Sequence, residues 1–180
     1  MKILDWAVDI IDATNDWVGK IFSFAVLLMF ALVIMEVFFR YLFNSPTVWT
    51  NELTQMIFGA YIILSGGYIL KKGGHVNVDI VFSHLSPRGQ AILNIITFPV
   101  FLAFGGMMLV YGYSLALDSL TILEHSESAW NPPIYPVKMM IPIGALLLIL
   151  QGLVDLKRNI STVRTGTLVE SVEIAEKETL

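Results

Sequence analysis

The stretch that decides the fold runs from Arg40 to Asp79 and reads RYLFNSPTVWTNELTQMIFGAYIILSGGYILKKGGHVNVD. Its middle, from Leu53 to Leu70, contains no charged residue and is close in length to the ~20 apolar residues that cross a bilayer as a helix. A polar and aromatic segment precedes this middle part, and a basic segment with two glycines follows it. Because a simple membrane anchor needs only the apolar middle, the two flanking segments are the candidate functional positions.

The composition is that of an integral membrane protein. Hydrophobic residues make up 56% of the 180-residue chain and charged residues 14%, whereas soluble domains have about 45–50% and about 25%. A net charge of -4 without a basic cluster argues against binding of nucleic acid. Because the chain has no cysteine, disulfides, thiolate metal sites and thiol redox chemistry are excluded.

We predict an all-α membrane protein with four transmembrane helices. The polar, acidic segment 159–180 is predicted to be a disordered cytoplasmic tail, since it has too little apolar surface to bury. Residues 1–158 form a single transmembrane module. The apolar segments place its spans at about residues 18–42, 47–71, 87–117 and 137–156.

Local signals mark the ends of the spans. Ser45-Pro46 and Ser86-Pro87 are typical of a helix N-cap followed by proline at the first helical position, so spans two and three are expected to begin there. Gly73-Gly74 is expected to end span two, because glycine readily adopts the left-handed conformation that terminates helices. Residues 75–85 are too short to cross the membrane and predict either an interfacial helix or a loop. Small residues in span two predict close helix packing, namely Gly59, Ala60, Ser65, Gly66 and Gly67.

The first 16 residues carry an acidic helical face. Asp5, Asp9, Asp12 and Asp16 recur every three or four residues, which places them on one side of a helix. Helices that lie on lipid usually have basic polar faces, because the cytoplasmic leaflet is anionic. The acidic face therefore favours an extension of the first span or a docking helix, with a short interfacial segment as the alternative.

The distribution of basic residues predicts the orientation. In a four-span arrangement, all of the 11 Lys and Arg residues except Arg40 and Lys138 fall on the side of the two termini. Positively charged residues are retained on the cytoplasmic side of membranes. We therefore predict that both termini are cytoplasmic and that the connections 43–49 and 118–136 face outward.

The polar residues do not form a pattern typical of an enzyme. His75, His84 and His125 fall in connections, whereas a membrane cytochrome needs haem ligands inside its spans. Glu124 and Glu127 flank His125 and could bind a metal with it, but this pattern is more typical of a solvated loop. The spans also lack the chain of carboxylates expected of a proton path. We predict no enzymatic activity, no cofactor and no metal site.

A polar cluster is predicted where span one meets span two. Glu36 and Arg40 are four residues apart with the acid first, the favourable order for a helical ion pair. Glu52 follows after a short connection, so the planar guanidinium of Arg40 is predicted to bridge both acids. Lys71, at the other end of span two, is expected to extend its ammonium into water.

Three segments together resemble one family, the small membrane subunit of tripartite ATP-independent periplasmic (TRAP) transporters. They are EVFFRYLFNSPTVWTNEL, GGYILKKGGHVNVDIV and SAWNPPIYPVKMMIPIGALLLILQGL. The likeness covers the chain up to about Arg158. Together with Glu36, the matched positions are interpreted as subunit-interface or structural residues without a catalytic role. The matched positions are Arg40, Trp49, Asn51, Glu52, Gly74, His75 and Asp79.

The resemblance implies a scaffold subunit of a sodium-coupled secondary transporter that imports an organic acid. Its implied partners are a periplasmic substrate-binding protein at the outer face and a large elevator-type subunit of about twelve spans. The implied location is the bacterial inner membrane, where lipids provide the remaining contacts. The alternatives are an accessory four-span subunit of another complex, such as a tripartite tricarboxylate system, a stand-alone small carrier, and a quinone-linked membrane enzyme.

Overall fold

A computed structural model describes residues 2–73 and 85–165. All of its helices are long and apolar enough to cross a membrane, which confirms the predicted all-α fold with four spans. The predictions for residues 75–84 and for the tail beyond Thr165 lie outside the described residues. The helices are α1 (Lys2–Tyr41), α2 (Thr50–Lys71), α3 (Pro87–Thr121) and α4 (Tyr135–Thr165).

The four helices are arranged in an open layer in the order α1, α2, α4, α3. α1 packs against α2, α2 against α4, and α4 against α3, while α1 makes a smaller contact with α4. α4 is therefore the central helix, and it carries the largest set of buried residues in the described part of the chain. These are Gly144, Ala145, Leu148, Gln151, Gly152, Val154 and Thr162.

Small residues allow the helices of this layer to approach closely, as predicted for span two. Ala60, Ser65 and Gly67 are buried on α2. On the facing side of α4, a Cβ atom added to Gly144 would lie 2.5 Å from the backbone carbonyl oxygen of Ile63. The backbones of α2 and α4 are therefore nearly in contact, which is the usual geometry of membrane helices that pack through small residues.

Residues 2–16 are part of α1, in agreement with the first of the alternatives predicted for this segment. α1 is one continuous helix of 40 residues, about 60 Å long at 1.5 Å per residue. A separate interfacial segment at this position is therefore ruled out. Because the hydrocarbon core is only ~30 Å thick, α1 extends well beyond it at one end.

Two of the three predicted helix boundaries are confirmed and one is wrong. Ser86 caps α3 by accepting a hydrogen bond from the backbone N–H of Gly89 at 3.3 Å, with proline following at the first helical position. Gly73 has a φ of +67° directly after the end of α2. The Ser45-Pro46 prediction fails, because α2 begins only at Thr50. Both α3 and α4 also continue beyond the predicted spans, to Thr121 and Thr165.

Candidate assembly sites at the two ends of the helix layer

Polar side chains collect at both ends of the layer. We call the end with the connections 42–49 and 122–134 the connection end, and the end where α1 starts and α4 finishes the terminal end. On α1, Asp16 and Glu36 mark these two ends and are separated by about 30 Å along the helix axis. This spacing equals the thickness of the hydrocarbon core, so the two polar ends are as far apart as the two membrane boundaries.

Glu36 organises the connection end of α1. Its carboxylate accepts hydrogen bonds from Nε of Arg40 at 3.2 Å and from Nη2 at 2.7 Å, which confirms the predicted ion pair. It also accepts from the backbone N–H of Thr47 at 3.0 Å and from the Thr47 hydroxyl. The Thr47 hydroxyl is in turn hydrogen-bonded to the hydroxyl of the buried Thr50. Glu36 therefore holds residues 46–47 as a connection, which explains why α2 starts only at Thr50.

The prediction that Arg40 bridges Glu36 and Glu52 is wrong. Glu52 instead accepts a hydrogen bond from the Ser128 hydroxyl at 2.5 Å, in the connection 122–134. Trp49 makes the same link through its ring, whose centroid lies 6.3 Å from that of Trp130. Successive helical positions are rotated by about 100°, so neighbouring residues at the start of α2 face in different directions.

Asn51 lies on the side of α2 that faces Arg40. The two residues line, together with Glu36, a shallow groove of about 340 Å³ between α1 and α2. Asn51 is exposed, and the side chain of Arg40 is also half exposed. The predicted candidates at this end are thus divided between a groove beside α1 and a contact with the second connection.

A second ion pair closes the connection 122–134. Nζ of Lys138 lies 2.5 Å from a carboxylate oxygen of Glu124, and the backbone N–H of Ile134 donates to the Glu124 carbonyl at 3.0 Å. The ring Nδ1 of His125 lies 2.6 Å from the carbonyl oxygen of Leu123. Within residues 2–73 and 85–165, no group of three His, Asp or Glu side chains is arranged to hold a metal ion.

This ion pair predicts a pH dependence of the connection. The hydrogen bond from Lys138 lowers the pKa of Glu124 below its ordinary value. A carboxylate with a lowered folded-state pKa stabilises the fold above its ordinary pKa, and this contribution is lost as the pH falls through the lowered value. We expect a spin label on Glu127→Cys to become more mobile as the pH falls below about 4.5. Glu124→Gln should make the label mobile already at pH 7, whereas Asp118→Asn, which removes an exposed acid, should leave the titration unchanged.

Gln151 is the centre of a buried network at the terminal end. Its side chain is fully buried, and its amide oxygen accepts a hydrogen bond from Nδ2 of Asn15 at 2.9 Å. Its amide nitrogen donates to Asp12 at 3.0 Å and to Asp155 at 3.4 Å. One glutamine of α4 therefore joins two polar residues of α1 to an acid of its own helix.

Arg158 adds the positive charge that this network requires. Its Nη2 lies 2.5 Å from the Asp12 carboxylate, and its Nη1 lies 3.7 Å from that of Asp155. Asp12, one member of the acidic face of α1, is thus turned toward a cation of α4. Inside a membrane, charged side chains are normally paired in this way.

Lys71 connects α2 to the same face of α1. Its Nζ lies 2.6 Å from the Asp16 carboxylate and donates to the Asp12 carbonyl oxygen at 3.1 Å. The side chain of Lys71 is only 16% exposed. The prediction that its ammonium extends into water is therefore wrong, because the acidic face of α1 provides nearer partners.

These contacts predict which of two charged residues contributes more to stability, Lys71 or Arg40. Lys71→Ala leaves the partly buried Asp16 without its cation, an effect between the ~1 kcal/mol of an exposed pair and the 3–5 kcal/mol of a buried one. Arg40→Ala removes a guanidinium that is half exposed, and Glu36 keeps its two hydrogen bonds from Thr47, so the loss should be smaller. We expect Lys71→Ala to lower the free energy of unfolding in SDS titrations more than Arg40→Ala does. Lys72→Ala, which removes the neighbouring exposed charge, is the control.

Three members of the terminal network are not among the residues that the sequence predicts as candidates, namely Asn15, Gln151 and Asp155. An amide inside an apolar helix is nevertheless a recognisable signal. Asp12 was noticed only as part of an acidic face. The predicted candidates Gly74, His75 and Asp79 lie outside the described residues.

Comparison with known proteins agrees with this architecture. The sequence profile of the family described as "Tripartite ATP-independent periplasmic transporters, DctQ component" matches residues 29–162. A Haemophilus influenzae protein described as a TRAP transporter small permease protein is 37% identical over 70 residues, which cover 39% of this chain and 44% of the relative. The C4-dicarboxylate TRAP transporter small permease protein DctQ of Vibrio cholerae is 30% identical over 104 residues, covering 58% of this chain and 41% of the relative.

The two relatives are therefore matched over less than half of their own lengths. The family profile, in contrast, covers most of this chain, from the second half of α1 almost to the end of α4. It includes both ends of α2 and the whole of α3. The chain is a multi-pass membrane protein that belongs to the DctQ family of small TRAP transporter subunits.

Proposed function

We propose that this chain is the static scaffold subunit of a sodium-coupled TRAP transporter in the bacterial inner membrane. In this role it holds and orients a large elevator-type membrane subunit, and it has no enzymatic activity of its own. A periplasmic substrate-binding protein delivers the substrate at the outer face. Membership of the DctQ family supports this assembly.

The observation that carries the scaffold role is the cross-helix network at the terminal end. Gln151 and Arg158 of α4 bind Asp12 of α1, and Lys71 of α2 binds Asp16 of α1. Three helices are thus tied together by partly buried charges and amides, whose separation would leave partly buried groups unpaired. Such a module is suited to remain rigid while a partner moves against it.

The proposed substrate is an organic acid. The relative from Vibrio cholerae is named for C4-dicarboxylates, so this class is the first to assay. The proposed orientation places both termini in the cytoplasm, where the basic residues of the terminal end are retained. The connection 122–134, with its acidic residues and Trp130, then faces the binding protein.

Reconstitution tests the function directly. We expect uptake of a labelled C4-dicarboxylate or another organic acid to need this chain, the large subunit, the binding protein and a sodium gradient. Vesicles that contain this chain alone should show no uptake. Sodium-dependent uptake by the chain alone would instead identify a stand-alone carrier.

The absence of native cysteine allows a simple test of the orientation. Ser126→Cys lies in the connection 122–134 and should react with an impermeant maleimide added to intact spheroplasts. Ser171→Cys, near the end of the chain, should react only after the membrane is opened. Labelling of Ser171→Cys alone in intact spheroplasts would show the opposite orientation.

A further inference from the structure

An open cavity of about 860 Å³ lies at the terminal end of the layer. The end of α2 and the first half of α3 form its sides, and α4 forms its floor. This volume is within the 300–1,000 Å³ range of pockets that hold small-molecule ligands. It is separate from the groove beside Asn51 at the connection end.

The lining changes from polar to apolar along the cavity. Lys72, Asn94 and Asn159 lie at its terminal end, and Nδ2 of Asn94 donates to Oδ1 of Asn159 at 3.3 Å. Phe98 and Phe104 line the part nearer the middle of the membrane. From Asn94 to Phe104 the cavity follows α3 for about 15 Å. This is the same change from polar to apolar that a phospholipid shows from its headgroup to its acyl chains.

The mouth of the cavity carries one cation that has no acidic partner in the described part of the chain. The other charged residues of the lining are paired. Lys71 is paired with Asp16, and Arg158 is paired with Asp12 and Asp155, which line the cavity themselves. Among the described residues, the Lys72 ammonium has a cation–π contact, with its Nζ 5.8 Å from the ring centroid of Tyr68. Its ammonium is therefore available for a negatively charged ligand at the membrane boundary.

We propose that this cavity binds one anionic phospholipid, with the Lys72 ammonium on its phosphate and an acyl chain beside Phe98 and Phe104. Basic pockets between membrane helices on the cytoplasmic side recognise anionic headgroups in this way. The preference for an anionic headgroup rests on the cytoplasmic orientation proposed above, which cysteine labelling tests independently. A bound lipid fills the space between α2 and α3, the two helices whose separation leaves the cavity open.

Native mass spectrometry of the full chain, with phosphatidylglycerol or phosphatidylcholine added in detergent, tests the proposal. We expect one phosphatidylglycerol per chain, retained about fivefold more strongly than phosphatidylcholine, which corresponds to ~1 kcal/mol for one lysine near an anionic headgroup. Lys72→Gln should remove this preference. Arg164→Gln, which removes an exposed charge of α4 outside the cavity, should preserve it.

A pair of tryptophan substitutions tests the position of the lipid. Thr97 lines the cavity, and its hydroxyl bonds only carbonyl oxygens of its own helix, so Thr97→Trp fills the cavity without breaking a contact between helices. We expect it to lower the retention of both lipids at least tenfold. Ile96→Trp, at the neighbouring lipid-facing position that is 65% exposed, should retain both.

Two results would overturn the proposal. One is equal retention of both lipids by the wild-type chain together with no effect of Thr97→Trp. The other is loss of the bound lipid from the wild-type chain when the large subunit is co-purified, since the cavity would then be a protein-docking surface.

Discussion

Replacing Arg158 by Met is expected to lower the free energy of unfolding by roughly 3 kcal/mol, the lower end of the range for breaking a buried ion pair. The methionine keeps most of the apolar stem but removes the charge that Asp12 and Asp155 share. Both carboxylates then remain close to Gln151 without the guanidinium that pairs with them. The lower end of the range applies because the Arg158 side chain is 32% exposed.

The measurement is equilibrium unfolding in mixed detergent and SDS, with Arg164→Met as the matched control on the same helix. Asp12→Asn combined with Arg158→Met should lose less stability than the sum of the two single variants, because the uncompensated charge is removed. Equal losses for Arg158→Met and Arg164→Met would show that the network does not hold α1 to α4.

Replacing Gly144 by Ala is expected to force α2 and α4 apart. The new Cβ would lie 2.5 Å from both the carbonyl oxygen and Cγ2 of Ile63, and 3.0 Å from its carbonyl carbon. A flexible side chain could move away, but the backbone of Ile63 can move only if α2 shifts. Overpacking of this kind typically costs about 1–3 kcal/mol, which exceeds the gain of up to ~1 kcal/mol from replacing a helical glycine.

Gly106 provides the control for this prediction, because a Cβ added there has no neighbouring atom within 4 Å. Gly106→Ala should leave the unfolding midpoint unchanged or raise it, whereas Gly144→Ala should lower it. Adding Ile63→Ala to Gly144→Ala should restore only part of the loss, since the carbonyl oxygen of residue 63 remains. Shifts in the same direction for Gly144→Ala and Gly106→Ala would contradict the close approach of α2 and α4.

Local patterns of the sequence were sufficient to predict the features that depend on residues close together in the chain. The spans follow from apolar length, and the pair of Glu36 with Arg40 follows from the four-residue helical spacing. The cap of α3 at Ser86 is likewise contained in a few consecutive residues. The predicted start of α2 at Ser45-Pro46 is wrong, because Glu36, which holds the connection before α2, belongs to α1.

The partners of charged residues that pair between different elements were decided by the tertiary structure alone. Asp12 and Arg158 are 146 residues apart, and Glu52 is 76 residues from Ser128. Helical periodicity predicts which side of a helix a residue occupies but not which helix it faces. The sequence therefore predicts that α1 has an acidic face, but it does not predict which helices contact that face. The order of the layer brings Asp16 to a cation of α2 and Asp12 to a cation of α4, because a partly buried charge without a partner is unfavourable.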